Sequence, residues 1–577
     1  MKNSILDRFK KHWLLLIIVV IAVITRFIFL DKIPNAITQD QLHYTIDAKS
    51  FFHTGKDAFG QVTPIDVLIF NFPKSEPLQA ELQYFLEMPI FGNFGFSMFN
   101  LAFPNALLNV LTVMLIYLIT LRLFNKNAAI FAGFIAAINP WNIFIGRTTY
   151  EAGIAGLFFL WIFYVLLKAS GWKILLVVPI ALLAFYSYIG TKLIFLPFMF
   201  FAITYAYLFI NKKKYLKQYL ILFLFSVLLT MLFIFQFKQF ETTRNAEVLL
   251  PNNPQIAEQV TGLRQATIQN SYLNLFDNKI TTYLTVLTKN TFNAISFNYL
   301  FVSADYFFMF GAHGLFYYLD ALFLLIGFGI LFTRNKKLFS LFILFIALGL
   351  IPQIVHNPKG DGNFSPHIAI VIPFLIILIG LGIDTLLKAI KNKKISYLIG
   401  IITVILYTMA FANFLYIYFL RFPLQEGTFE TQNRILAKYI SLHDDKTPII
   451  VYSTKRKLAF REFLFYSNAY NGKTANQINS NLKNERFVYK NISFVSCDNL
   501  KKPTNTTIVD VSCPIPFFME ASRIAQLKDS GNRYYIFNDN ICNKFNLSSY
   551  ISGLKLSDFD MEQLTPKAFC EKYIIAN

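Results

Sequence analysis

The sequence predicts a polytopic α-helical membrane protein of about eleven transmembrane helices, with a C-terminal α/β domain outside the cytoplasm. Three observations predict it. Of 577 residues, 55% are hydrophobic and 15% charged, against about 45–50% and about 25% in a soluble domain. The apolar residues come in long runs such as Trp13–Leu30, enough to cross a hydrocarbon core of about 30 Å. Beyond about residue 422 the chain turns polar and strand-like.

Backbone polar groups in lipid must be satisfied within the segment, so the runs are read as helices. The alternation of a membrane β-barrel is absent. The first run holds Arg26 and is not followed by a small-residue cleavage site, so it reads as a retained helix. The spans centre on 13–30, 100–121, 128–146, 151–168, 173–188, 191–210, 218–236, 312–332, 338–354, 367–387 and 396–418. Every second connection is basic: Lys10/Lys11, Arg122/Lys126, Lys168/Lys173, Lys212–Lys214, Arg334–Lys337 and Lys388–Lys394. The positive-inside rule puts these loops and the N-terminus in the cytoplasm, and an odd span count puts the C-terminus outside. The net charge of +20 sits largely in such short loops, so it reports topology and a lipid partner; nucleic acid is not an expected partner. The expected location is a bacterial-type plasma membrane.

The expected transmembrane domain is 1–422, with long outer loops at about 31–99 and 237–311. Residues 270–310 read either as an interfacial hairpin or as an extra span. The expected soluble domain is 423–577, with strand-like runs at 447–453, 491–496, 506–512 and 534–539 between helical stretches. That alternation reads as α/β. All four cysteines (Cys497, Cys513, Cys542 and Cys570) lie in this tail. An even number confined to the outer part fits two disulfides of unspecified pairing, with buried free thiols as the alternative.

Three segments carry candidate chemistry. In the first outer loop, Asp40 precedes the amphipathic stretch Leu42–Phe52, which suits a helix lying in the interface. A carboxylate there can take a proton from a hydroxyl beside a lipid-borne phosphate. The plain alternative is an N-cap. The second segment, Asn139–Ala169, holds Arg147, Tyr150 and Glu151 at the outer end of a span. Glu151 could complement a helix dipole and Arg147 could snorkel. The third places Lys192 after Tyr186 and Tyr188. A cation there is a natural phosphate partner or another snorkelling lysine.

The motifs resemble those of the GT-C membrane glycosyltransferases, in the family 39-like branch with the protein O-mannosyltransferases and the lipid A aminoarabinose transferase. Pro34…Gln39-Asp40-Gln41-Leu42-His43-Tyr44…Gly55…Phe59-Gly60 is similar to that family's first-loop motif. Asn139-Pro140-Trp141…Arg147…Tyr150-Glu151-Ala152 and Tyr186–Lys192 with Pro197 are similar to the next two. Gly314–Tyr317, Ile351-Pro352, Pro366-His367 and Ile372-Pro373 resemble later landmarks. The order holds over about residues 24–385, and the tail is not covered.

The resemblance implies transfer of a sugar from a polyprenyl-phosphate donor to an unidentified acceptor outside the cytoplasm, with inversion and with no metal or cofactor. It gives Asp40 the catalytic-acid position, with Glu151 as the second acidic position. Lys192, Arg147, Lys74 and His43 are the candidates for the donor phosphate. Gln41, Tyr44, Tyr150, Tyr186, Tyr188 and His367 are candidate substrate contacts. Gln41 departs from the family's Asp-Glu pair. The rivals are a transporter or flippase, which would place ionisable groups at mid-membrane within inverted repeats, and an inactive relative that only binds.

Overall fold

The computed structural model describes every residue except 1, 71–79, 240–253, 357–361, 425–430, 445, 504, 515–521, 525–533, 550, 552 and 577. All eleven expected span positions carry a helix. Among the described residues, six helices are long and apolar enough to cross a membrane: Met98–Leu123, Ile189–Ile210, Leu216–Phe237, Lys336–His356, Val371–Ala389 and Lys393–Leu424. Lys126–Ile138 and Pro140–Arg147 make a seventh if counted as one span bent by 52°. Trp13–Phe27, Ala152–Lys168 and Gly171–Ser187 are shorter apolar helices. These apolar helices make the chain an integral membrane protein.

The chain divides into two compact units. The helical unit comprises Met1–Ile28, Leu68–Leu82 and Asn105–Phe414; the mixed unit comprises Phe29–Val67, Gln83–Pro104 and Leu415–Asn577. Most of the first outer loop, assigned from sequence to the transmembrane domain, therefore groups with the tail.

In the helical unit, Val371–Ala389 packs against both Lys126–Ile138 and Tyr318–Arg334. The approach is close because the crossing residues are small: a Cβ on Gly380 would stand 2.6 Å from that of Ala132. The bend after Ile138 has a local cause. Pro140 opens the second helix without needing a backbone donor, and Asn139 Oδ1 caps it by accepting from Asn142 N at 2.9 Å.

The mixed unit holds a seven-stranded sheet: β1 (Ile449–Tyr452), β2 (Val488–Tyr489), β3 (Ile492–Val495), β4 (Thr506–Asp510), β5 (Ser522–Ile524), β6 (Tyr534–Phe537) and β7 (Ile574–Ile575), in the order β2-β3-β1-β4-β6-β5-β7. β1 is parallel to β3 and β4, with Ile449 opposite Ile492 and Thr506; the remaining pairings are antiparallel. The four runs read as strands are β1, β3, β4 and β6. Two disulfides form, Cys497–Cys513 and Cys542–Cys570.

Ile37, Leu42, Ile46 and Ala58 of the first loop share one apolar core with Ile435, Leu436, Phe460, Leu464, Ile478 and Cys570 of the tail. This corrects the expected interfacial helix. Gln39–Thr54 is buried from Gln41 to Phe51, because Leu42 and Ile46 insert into that core and not into lipid.

Candidate functional site

In the mixed unit, the helix Gln39–Thr54 begins with a capping box. Thr38 Oγ1 accepts from Gln41 N at 3.3 Å, and Gln41 Oε1 accepts from Thr38 N at 2.9 Å. The N-cap is thus Thr38, not Asp40, and the Thr38-x-x-Gln41 spacing is the sequence signal for it. Asp40 lies in the first turn and is exposed. Gln41, offered as a substrate contact, is buried and committed to the cap.

The tail holds the segment leading into this helix and the helix itself. Tyr466 Oη accepts from Ile37 N at 2.9 Å, and Arg434 Nη1 donates to Asn35 O at 2.6 Å. Arg434 also donates from its Nε and Nη2 to the two carboxylate oxygens of Glu562. One turn along, Arg461 Nη1 donates to His43 Nδ1, and its Nη2 lies 3.6 Å from Asp47 Oδ1. Burial, then the Arg461 and Lys457 cations, push the His43 imidazolium well below its usual range. The imidazole, expected at the donor phosphate, is thus held against Arg461. Tyr44 is buried edge-to-face against Tyr84 at 5.1 Å. Thr45 Oγ1 and Gln83 Nε2 donate to the Glu87 carboxyl at 3.0 and 2.6 Å. Arg434, Arg461, Tyr466 and Glu87 were missed from sequence, where nothing marks which distant residue covers a buried helix.

In the helical unit, Lys192 is wholly buried. Its Nζ donates to Glu81 Oε1 and, at 3.2 Å, to Gln236 Oε1, with the Phe185 and Tyr186 rings 4.9 and 5.4 Å away. Tyr186 Oη and Gln236 Nε2 both donate to Leu68 O, at 3.1 and 2.9 Å. Lys192 is therefore neither a snorkelling lysine nor an unpaired cation, because Glu81 already meets its charge. Lys74 lies outside the described residues.

Arg147 is buried with its Nη1 donating to Arg26 O at 3.0 Å and Thr25 O at 3.3 Å. It satisfies carbonyls at the end of the helix Lys2–Phe27, a use of a cation that helix C-termini favour. Its burial corrects the snorkelling expectation. Glu151 is buried at the N-cap position of Ala152–Lys168, without a side-chain capping bond. Beside it, Tyr150 packs on Phe307 and Phe364 at 5.0 and 5.7 Å. Phe364 in turn meets His367 at 4.9 Å, and His367 stacks on Tyr188 at 6.4 Å. Three expected substrate contacts, Tyr150, Tyr188 and His367, thus belong to one aromatic cluster. The buried Asp305 borders it, accepting from Ser365 N at 2.9 Å; no motif in the sequence singles out this acid.

The profile of the family described as dolichyl-phosphate-mannose-protein mannosyltransferase matches residues 84–231, about a quarter of the chain. That stretch contains Arg147, Tyr150, Glu151, Tyr186, Tyr188 and Lys192, and Asp40 lies outside it. Among solved structures, the chain is similar to the archaeal oligosaccharyltransferase AglB from Archaeoglobus fulgidus, in complex with an inhibitory peptide and a dolichol-phosphate. There the identity is 14% over 92% of this chain and 75% of that one, with a TM-score of 0.41. It is also similar to ArnT from Cupriavidus metallidurans bound to undecaprenyl phosphate, at 10% identity over 92% and 98%, with a TM-score of 0.48. No curated relative matches the sequence at a significant level.

Proposed function

We propose that this protein is a glycosyltransferase that moves a sugar from a polyprenyl-phosphate donor to an acceptor outside the cytoplasm, with Asp40 as general base. One observation carries the reading. Thr38 and Gln41 close the helix start, the helix behind them is locked into an apolar core, and Asp40 is exposed on its first turn. A catalytic group is best placed on a rigid element. The family match over residues 84–231 supports the reaction class.

In this reading the acceptor hydroxyl oxygen attacks the anomeric carbon. The bond from that carbon to the carrier's phosphate oxygen breaks, and the electron pair leaves with the polyprenyl phosphate. The hydroxyl proton passes to Asp40. Glu151 positions the acceptor. Lys192 stabilises the departing phosphate, which exchanges with Glu81 as the partner of its ammonium. The N-terminus is cytoplasmic, and the unit bearing Asp40 lies outside.

Asp40→Asn tests the base. The substitution preserves shape, and Thr38 retains the cap. Transfer from a polyprenyl-phosphate donor by purified protein should fall by about 10²–10⁴-fold with the melting temperature unchanged. Near-normal turnover by the variant would remove Asp40 from the mechanism. A single cysteine at Ser441 should be labelled from outside intact cells; labelling only after permeabilisation would reverse the orientation.

A further inference from the structure

The segment Pro254–Phe297 is built inside out for a loop in water. Its longest helix, Lys279–Ala294, buries Thr282, Val286, Asn290 and Ala294. The opposite face exposes Ile280, Leu284, Thr288 and Phe292, one turn apart, with Ile280 71% and Phe292 67% exposed. A helix facing water would present the reverse. The preceding turn adds Tyr272, Leu275 and Phe276, and Ile268 ahead of it is 88% exposed.

The helix is too short and too polar to span. Its 16 residues reach about 24 Å, short of a hydrocarbon core of about 30 Å. Its height is set by a membrane helix of the same unit. Asn290 Nδ2 donates to Ile354 O at 2.8 Å, in the last turn of Lys336–His356, and Tyr283 and Leu287 pack near Val355. That end is opposite the basic Arg334–Lys337 turn. The apolar face is therefore held at the level where a membrane helix leaves the hydrocarbon. Lys279 and Lys289 are exposed on the same helix, where their stems can follow apolar surface and their ammonium groups meet lipid phosphates.

We propose that Pro254–Phe297 is a monotopic hairpin seated in one leaflet. Its occupant is the bilayer surface itself, with the apolar face at the boundary between acyl chains and headgroups and the two lysines among the phosphates. This proposal does not depend on the catalytic reading. Of the two readings that the sequence left open over 270–310, it takes the hairpin and not the extra span.

The four native cysteines are paired, so an introduced cysteine can be labelled alone. The test reconstitutes the full chain in phosphatidylcholine–phosphatidylglycerol vesicles, with an environment-sensitive fluorophore at Phe276→Cys, at Leu284→Cys and, for comparison, at the exposed Ser441→Cys. At 276 and 284, lipid nitroxide high on the acyl chain should quench several-fold more than aqueous iodide. At 441 the order should reverse. Iodide quenching at 276 and 284 equal to that at 441 would overturn the proposal in favour of a water-facing loop. Protection from both quenchers would overturn it in favour of a contact with a second copy. Strongest quenching by a nitroxide at the bilayer centre would overturn it in favour of a span.

Discussion

In the helical unit Lys192 and Arg147 are buried and answered on the spot, the first by Glu81 and Gln236 and the second by the carbonyls of Thr25 and Arg26. In the mixed unit a helix that is buried from Gln41 to Phe51 presents Asp40 exposed at its start. The contrast follows from the surroundings. A charge beside hydrocarbon must be compensated within the protein, because no water can do it. A carboxylate at an exposed position can also meet water, while its helix is immobilised by other groups. Motif residues in the two settings therefore mean different things. In the helical unit the two motif cations are answered by groups of the protein, whereas in the mixed unit a motif acid is exposed at the start of its helix.

The largest effect expected from breaking this arrangement is at Lys192. Lys192→Ala leaves Glu81 buried without its cation and should cost about 3–5 kcal/mol, read as a lowered melting temperature in detergent. Lys192→Met combined with Glu81→Leu should recover most of that loss. If the stable double variant binds the lipid phosphate as well as the wild type, the pair is structural only; lost binding at preserved stability keeps Lys192 as the phosphate cation.

A smaller effect probes how the outer helix is held. Tyr466→Phe removes only the hydroxyl that accepts from the buried Ile37 N–H. Stranding that donor should cost about 1–3 kcal/mol and lower the transfer rate more than it changes the apparent affinity for donor. Unchanged rate and stability would mean that the entry to the Asp40 helix is set elsewhere.

A further effect, read as a pH slope, concerns a group buried as an acid. Burial pushes Glu87 up to about 8 from an ordinary 4.5, against the hydrogen bonds from Gln83 and Thr45. Between those two values the folded chain keeps a proton that the unfolded chain has lost. This contribution to stability is complete below the unfolded value and disappears as pH rises through the folded one. Glu87→Gln should flatten the decline in melting temperature between about pH 5 and pH 8. An unaltered slope would mean that Glu87 is ionised in the fold.

Much of this architecture is legible in the residues. Long apolar runs locate the membrane helices because lipid leaves the backbone no other solution. β1, β3, β4 and β6 announce themselves as short β-branched and aromatic runs. The short β2, β5 and β7 carry too few residues for any pattern. The capping role of Thr38 was readable from Thr38-x-x-Gln41, but Asp40 competes for it because both residue types cap well. The partners Glu81 of Lys192 and Arg461 of His43 were not readable. A side chain's charge says that it needs a counterpart, not which one, and these pairs join positions 111 and 418 residues apart.

That separation bears on when the protein becomes competent during its own synthesis. The bond from Tyr466 to Ile37 closes over 429 residues, and that from Arg434 to Asn35 over 399. At about 5–20 residues per second, the loop bearing Asp40 waits roughly 20–90 s after translation before its covering residues exist. Membrane helices formed in the meantime need nothing from the tail. Insertion therefore comes early, and the Asp40 helix gains its fixed setting only after the chain has been translated past Tyr466. A nascent protein stalled within the membrane region would hold its place in the bilayer before the Asp40 helix has its fixed setting.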